Sequence, residues 1–141
     1  LGEKSWEAKE NSSGIAWLSK ENLEYSTREA KKEADIVIVS MHFGQEYKNQ
    51  PDSEQKYFAH IAIDYGADLV VGHHPHLVQP IEKYASGNIA YSLGNFVFDQ
   101  NFSEETMKGL LLEVIVVSGK IKEVIPREIK INNLFQPELG I

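Results

Sequence analysis

The sequence predicts an α/β domain in which a parallel strand–helix–strand unit is followed by antiparallel hairpins. Three observations predict it. A β-branched run, Ile36-Val37-Ile38-Val39, is apolar at consecutive positions, as in strands buried on both faces of a parallel sheet. An amphipathic stretch over 53–65 separates it from a second apolar run, Leu69-Val70-Val71, which fits a right-handed parallel crossover. Beyond residue 77 the pattern changes to alternation, the mark of hairpins.

Each element follows from local residue chemistry. Residues 1–18 are mostly polar, with Asn11-Ser12-Ser13-Gly14 and an isolated Trp6, and read as a loop or docking segment. Ser19, followed by Glu21 and Asn22, caps a helix through Leu23, Tyr25, Ala30 and Lys32, with basic residues toward its C-terminal end. The strand at Ile36–Val39 implies a helix on each face. Tyr57, Phe58, Ile61, Ala62 and Tyr65 recur at helical spacing, and Gly66 is placed to end that helix. Residues 77–98 read as a hairpin turning at Gly87-Asn88, and 109–131 as a second one broken at Ser118-Gly119-Lys120.

Composition narrows the function classes. At 42% hydrophobic and 10% aromatic residues, the 141-residue chain has the material for one globular core. The net charge of −7 and the absence of a Lys/Arg run make nucleic acid a poor partner. There is no cysteine, which removes disulfides, thiolate metal sites and thiol nucleophiles. The apolar run Gly109–Val117, interrupted by Glu113, is far short of the roughly 20 residues of a bilayer span. The opening LGEKSW has neither an initiator Met nor the regions of a signal peptide, and reads as cut from a longer chain.

Histidines carry the chemical signal. His42 follows the first predicted strand, and His73, His74 and His76 follow the second, so parallel neighbours would deliver all four imidazoles to one carboxyl edge, where open α/β sheets bind ligands. Pro75 pushes His74 toward an extended conformation, and alternation then places His74 and His76 on one side with His73 on the other. The expected order of metal contact is His76 and His74, then His42, then His73. With Glu46 or Asp99 as a carboxylate, such a set suits a divalent transition metal such as manganese, iron or zinc. A metal of this kind polarises a phosphoryl or carbonyl oxygen and acidifies a bound water. His60, without a partner motif, reads as a helix-surface residue.

A third segment, Tyr91–Asp99, breaks an apolar strand at Gly94-Asn95, as a bulge or close backbone approach would. Asn95 has the amide to meet a substrate oxygen, and Asp99 the carboxylate to orient a histidine.

Together, Ala34–Tyr47, Gly66–His76 and Tyr91–Asp99 resemble, in sequence and order, the bacterial capsule-synthesis CapA proteins, the poly-γ-glutamate capsule (PGA_cap) family. Phe43 stands where tryptophan is usual. The resemblance implies the C-terminal half of a calcineurin-like metallophosphatase sandwich, with His42, His73, His74 and His76 at metal-binding positions and Glu46, Asn95 and Asp99 at motif positions facing substrate. It also implies a role in making, exporting or anchoring poly-γ-glutamate at the cell surface, with the precursor held at the membrane. The family's Gly-Asp, Asn-Leu-Glu and Asn-Asn-His segments, which bring further ligands, are read as absent from this chain. At most half of the ligand set is then present, and a partner is expected: the N-terminal half of the domain or a second copy of the chain.

Two functions fit these expectations. One is a metal-dependent hydrolase of phosphoester or γ-glutamyl bonds, with His42, His74 and His76 in the catalytic set. The other is a non-catalytic surface component that binds or guides the anionic polymer.

Overall fold

The computed structural model describes residues 3–140, so the first two residues of the expected 1–18 segment lie outside the described residues. The remainder of that segment is a short 3-10 turn at Lys4–Trp6 followed by a loop tied to itself, with the Ala8 amide donating to Ile15 O at 3.0 Å and the Ile15 amide to Trp6 O at 2.9 Å. Trp6 is exposed.

Helix α1, Lys20–Glu33, begins where expected because the Ser19 hydroxyl accepts the Asn22 amide at 3.2 Å. Glu21 lies in its first turn and Lys31 and Lys32 in its last, each favourable to the helix dipole. Helix α2, Ser53–Asp64, starts with a capping box between Asp52 and Gln55, and Gly66 follows with φ +113°. Its buried face overlaps the predicted one and is extended beyond it: Ala62 is buried and Phe58, Ile61 and Tyr65 pack against the core as expected, Gln55, Ala59 and Ile63 are buried as well, and Tyr57 alone of the predicted set is exposed. Small residues let α2 lie close to the sheet, and the aromatic ring moves to the flank.

The first sheet has the order β1-β2-β4-β3, from β1 (Ile38–His42), β2 (Leu69–His73), β3 (Ile81–Tyr84) and β4 (Gly87–Ala90). β1, β2 and β4 run parallel and β3 is antiparallel to β4, so the sheet is mixed, as expected. The first strand starts two residues later than predicted. Ahead of it, Val37 is held by Asp68: the Asp68 amide donates to Val37 O at 2.9 Å, and Asp68 Oδ2 accepts the Val37 amide at 2.9 Å and Lys31 Nζ at 2.8 Å.

Among the described residues β1 is also an edge strand, not one covered on both faces. Val39 and Met41 pack with Leu23 of α1, Ala59, Ala62 and Ile63 of α2, and Val70, Ile89 and Tyr91 in a single core, while Ile38, Ser40 and His42 on the opposite face are exposed. Both helices therefore share one face. The apolar run specified extended backbone, but it held no information about which side a helix would cover.

The β3–β4 turn lies at Ala85-Ser86, two residues before the predicted Gly87-Asn88. Gly87 serves packing instead, since a Cβ there would lie 2.5 Å from Ile63 Cδ1. The second sheet, β5-β6-β7, is an antiparallel meander of β5 (Lys108–Val117), β6 (Lys120–Ile131) and β7 (Pro137–Leu139). Its tight turn uses Ser118 (φ 51°) and Gly119 (φ 72°), the two positive values of a type I′ two-residue hairpin.

One segment stitches the sheets together. The Leu93 amide donates to Gly72 O of β2 at 3.2 Å, and Leu93 O accepts the Leu110 amide of β5 at 2.8 Å. No helix among the described residues is long and apolar enough to cross a membrane.

Candidate functional site

The parallel pairing of β1 and β2 puts His42 directly beside His73 in register. Both sit at the carboxyl ends of their strands, and the Phe43 amide continues the ladder to His73 O at 3.1 Å. The chain leaves β2 in a turn, not in the extended segment predicted: His74 has φ 103° and His76 φ 58°. The alternation argument for sidedness therefore does not apply. Two non-glycine residues in the left-handed region are costly, and such strain clusters at functional sites.

The turn converges three groups. Single ligand atoms of Glu46, His74 and His76 all lie within 4.8 Å of one another. The His42 ring centroid is 4.7 Å from that of His74, and the His74 and His76 centroids are 6.1 Å apart. His73 is not part of the three-residue group. Glu46 comes from the loop after β1, which docks on the histidine turn through the Tyr47 amide, donating to Pro75 O at 2.8 Å.

His76 is oriented from behind. Its Nδ1–H donates to Asn95 Oδ1 at 2.9 Å, and the amide's orientation is set by Asn95 Nδ2 donating to Thr106 O at 3.0 Å and Gln100 Oε1 at 3.2 Å. This bond leaves Nε2 of neutral His76 with a free electron pair, the arrangement typical of metal-ligating histidine. Asn95 is buried and its amide engaged on both sides, so it carries the histidine-orienting contact expected of Asp99. Asp99 itself is exposed.

Aromatic rings complete the surround. His76 stacks with Tyr47, at 5.9 Å, and with Phe98, at 5.2 Å, and Tyr47 meets Phe102 edge-on at 5.1 Å. Gln100 Nε2 donates to the Tyr47 hydroxyl at 3.1 Å, linking this wall to the Asn95 bond. Sequence reasoning assigned no role to Tyr47, Phe98, Gln100 or Phe102. Tyr47 and Phe98 lay within the quoted motifs, which was the only signal available.

Burial lowers the pKa of His42, His73 and His74, and each also feels a neighbouring imidazole: His76 acts on His42, and His42 on both His73 and His74. Glu46 opposes the shift at His74. Near neutral pH these rings are therefore neutral, the form that binds a metal. A compact set of one carboxylate and imidazole nitrogens, with a buried amide behind one of them, fits a divalent transition metal.

His60 differs from its expected role. Its Nε2 lies 3.1 Å from Glu82 Oε1 and 3.3 Å from the Tyr91 hydroxyl, and its ring stacks on Tyr84 at 3.9 Å. It is a half-buried link between α2 and the β3–β4 pair, made by residues distant in sequence.

The family model described as Bacterial capsule synthesis protein PGA_cap matches residues 2–100, well over half of the chain, including every residue of the Glu46–His74–His76 group and Asn95. The chain belongs to this family. It is 49% identical over 100 residues to the PGA biosynthesis protein CapA of Bacillus subtilis (strain 168), an alignment covering 71% of this chain and 26% of that protein. It is 43% identical over 101 residues to the Capsule biosynthesis protein CapA of Bacillus anthracis, covering 71% of this chain and 25% of that one. The chain thus matches about a quarter of the length of these curated relatives. The antiparallel sheet, which starts at Lys108, lies beyond the span matched to PGA_cap.

One family segment read as missing does occur as a string, Asn22-Leu23-Glu24, but inside α1. There Asn22 Nδ2 donates to Trp17 O, Leu23 joins the core and Glu24 pairs with Arg28. Its side chains are committed to the helix and its packing.

Proposed function

We propose that this chain supplies the histidine-rich part of a divalent-metal site to a capsule biosynthesis protein of the cell envelope, and that the completed site hydrolyses a phosphoester or γ-glutamyl bond. The observation that carries the reading is the convergence of Glu46, His74 and His76 ligand atoms within 4.8 Å. The names of the two Bacillus relatives support capsule and PGA biosynthesis as the setting, with poly-γ-glutamate as the polymer.

A bound divalent metal would supply Lewis acidity toward a phosphoryl or carbonyl oxygen. The chain's own residues do the remaining work. Asn95 holds the His76 proton at Nδ1, Tyr47 and Phe98 fix the plane of that ring, and His42, exposed beside His74, is placed to accept a proton from a reacting group. Three candidate ligands leave room for others from elsewhere in a longer protein or from a second copy of the chain. The family resemblance, with a calcineurin-like metallophosphatase frame, favours the former.

Elemental analysis of protein purified without chelator, followed by a metal-supplemented screen against phosphoesters and γ-glutamyl peptides, tests the proposal. The expected result is about one transition metal per chain or complex, with turnover by the full-length protein. Metal-free protein with freely titrating histidines sinks it. Polymer binding without turnover by the full-length protein supports the non-catalytic reading instead.

A further inference from the structure

Two glutamine side chains beneath the Glu46 loop have no part in the site described above. Gln55 is 1% exposed and Gln79 is 2% exposed. Burying a primary amide is costly unless each polar atom is paired, and apolar side chains would fill the same space without that constraint. Here the pairing is directional. The Asp52 amide donates to Gln55 Oε1 at 3.2 Å, Gln55 Nε2 to Gln79 Oε1 at 2.9 Å, and Gln79 Nε2 to Lys48 O at 3.0 Å.

The relay begins at the cap of α2 and ends on the backbone two residues after Glu46. Both of its anchors are rigid: Gln55 belongs to the capping box of α2, and the Gln79 amide donates to Ser92 O at 3.1 Å in the bridge region joining the sheets. Its fit against the loop is close. A Cβ on Gly44, which has φ +92°, would lie 2.3 Å from Gln55 Cδ. The segment it holds is otherwise irregular and largely exposed, and carries both Glu46 and Tyr47.

We infer that Gln55 and Gln79 are positioning residues that set the Glu46 carboxylate against His74 and His76 by fixing the Lys48 carbonyl. The inference rests on the metal reading of that group. Apolar replacement removes the Lys48 anchor and leaves the loop to its Tyr47 contacts, without touching any candidate ligand. The ligand geometry then loosens while the histidine turn, held by its own bonds, stays in place.

The test is a double-mutant cycle on zinc affinity, measured by calorimetric titration of the chain with Zn2+. Gln79→Met is expected to weaken zinc binding about 10-fold, the lower end of the usual loss when a ligand's support is removed. In a Glu46→Gln background the same change should cost less than about 2-fold, because the carboxylate it positions is gone. Gln79→Glu serves as a second variant of equal size, which keeps the acceptor toward Gln55 and, measured at a pH where its carboxylate is ionised, has no proton to donate to Lys48 O.

Amide hydrogen exchange at Tyr47 in metal-free protein gives a readout independent of zinc. It should accelerate at least about 10-fold in both Gln79 variants, as expected for local opening. Unchanged Tyr47 exchange overturns the tether, and equal zinc losses in both backgrounds overturn its action through Glu46. Absence of zinc binding by the unaltered chain overturns the metal reading, while faster exchange in the variants still establishes the tether.

Discussion

The Nδ1–H of His76 donates to Oδ1 of Asn95 at 2.9 Å, and this one bond decides which ring nitrogen keeps its electron pair. Breaking it has a definite consequence. Asn95→Leu should weaken metal binding between about 10- and 100-fold. Because Asn95 also donates to Thr106 O, the same change should cost about 1–3 kcal/mol of stability by stranding a buried carbonyl. Metal titration and urea unfolding of the metal-free protein separate the two effects.

Acid should both destabilise the metal-free fold and release metal. His42, His73 and His74 have folded pKa values below their ordinary 6.5, with burial as the leading cause. Between those depressed values and 6.5 the unfolded chain holds more protons than the folded one, so stability falls as pH drops through that window and is regained as pH rises. Protons compete with metal for the same nitrogens in the same direction. Urea midpoints and metal content followed from pH 8 to pH 5 check the prediction, and a flat profile would contradict it.

Gly72→Ala should be among the most damaging single-methyl additions in the chain. A Cβ there would sit 1.9 Å from Tyr91 O and 2.7 Å from the Phe43 ring, at the point where β2 meets the segment after β4. Backbone cannot yield as a flexible side chain can, so the expected loss is about 3 kcal/mol or more. Thermal or urea unfolding gives the answer directly.

Tyr91→Phe tests the link through His60. The buried hydroxyl donates to Glu82 Oε2 at 2.7 Å, and that bond is the leading cause of the lowered Glu82 pKa. Its loss should cost about 1–2 kcal/mol and return the Glu82 pKa toward its ordinary value. In the unaltered chain that contribution is present above the ordinary carboxylate range and fades as pH falls through the folded pKa. Carboxylate titration by NMR, combined with unfolding, is the measurement, and metal affinity should not change.

Much of this molecule was legible in short-range pattern. The Ser19 cap, the helix ending before Gly66, the two parallel strands, the Ser118-Gly119 turn and the histidine-rich motifs are properties of a few neighbouring residues. The misreadings share a cause. Gly87 looked like a turn residue because local chemistry cannot show Ile63 packed above it. The HHPH segment looked extended because proline's effect on its predecessor is a preference, and tertiary contacts overrode it at His74 and His76.

The sequence by itself determined the element types, the family, and that histidines would gather at strand ends, because backbone propensity and motif spacing are local quantities. Only the tertiary structure decided that Glu46 joins His74 and His76, that Asn95 orients His76, and that two buried glutamines brace the loop between them. Those contacts join residues 19 to 31 positions apart, and such pairs meet only once the sheet and its packing have brought their backbones together.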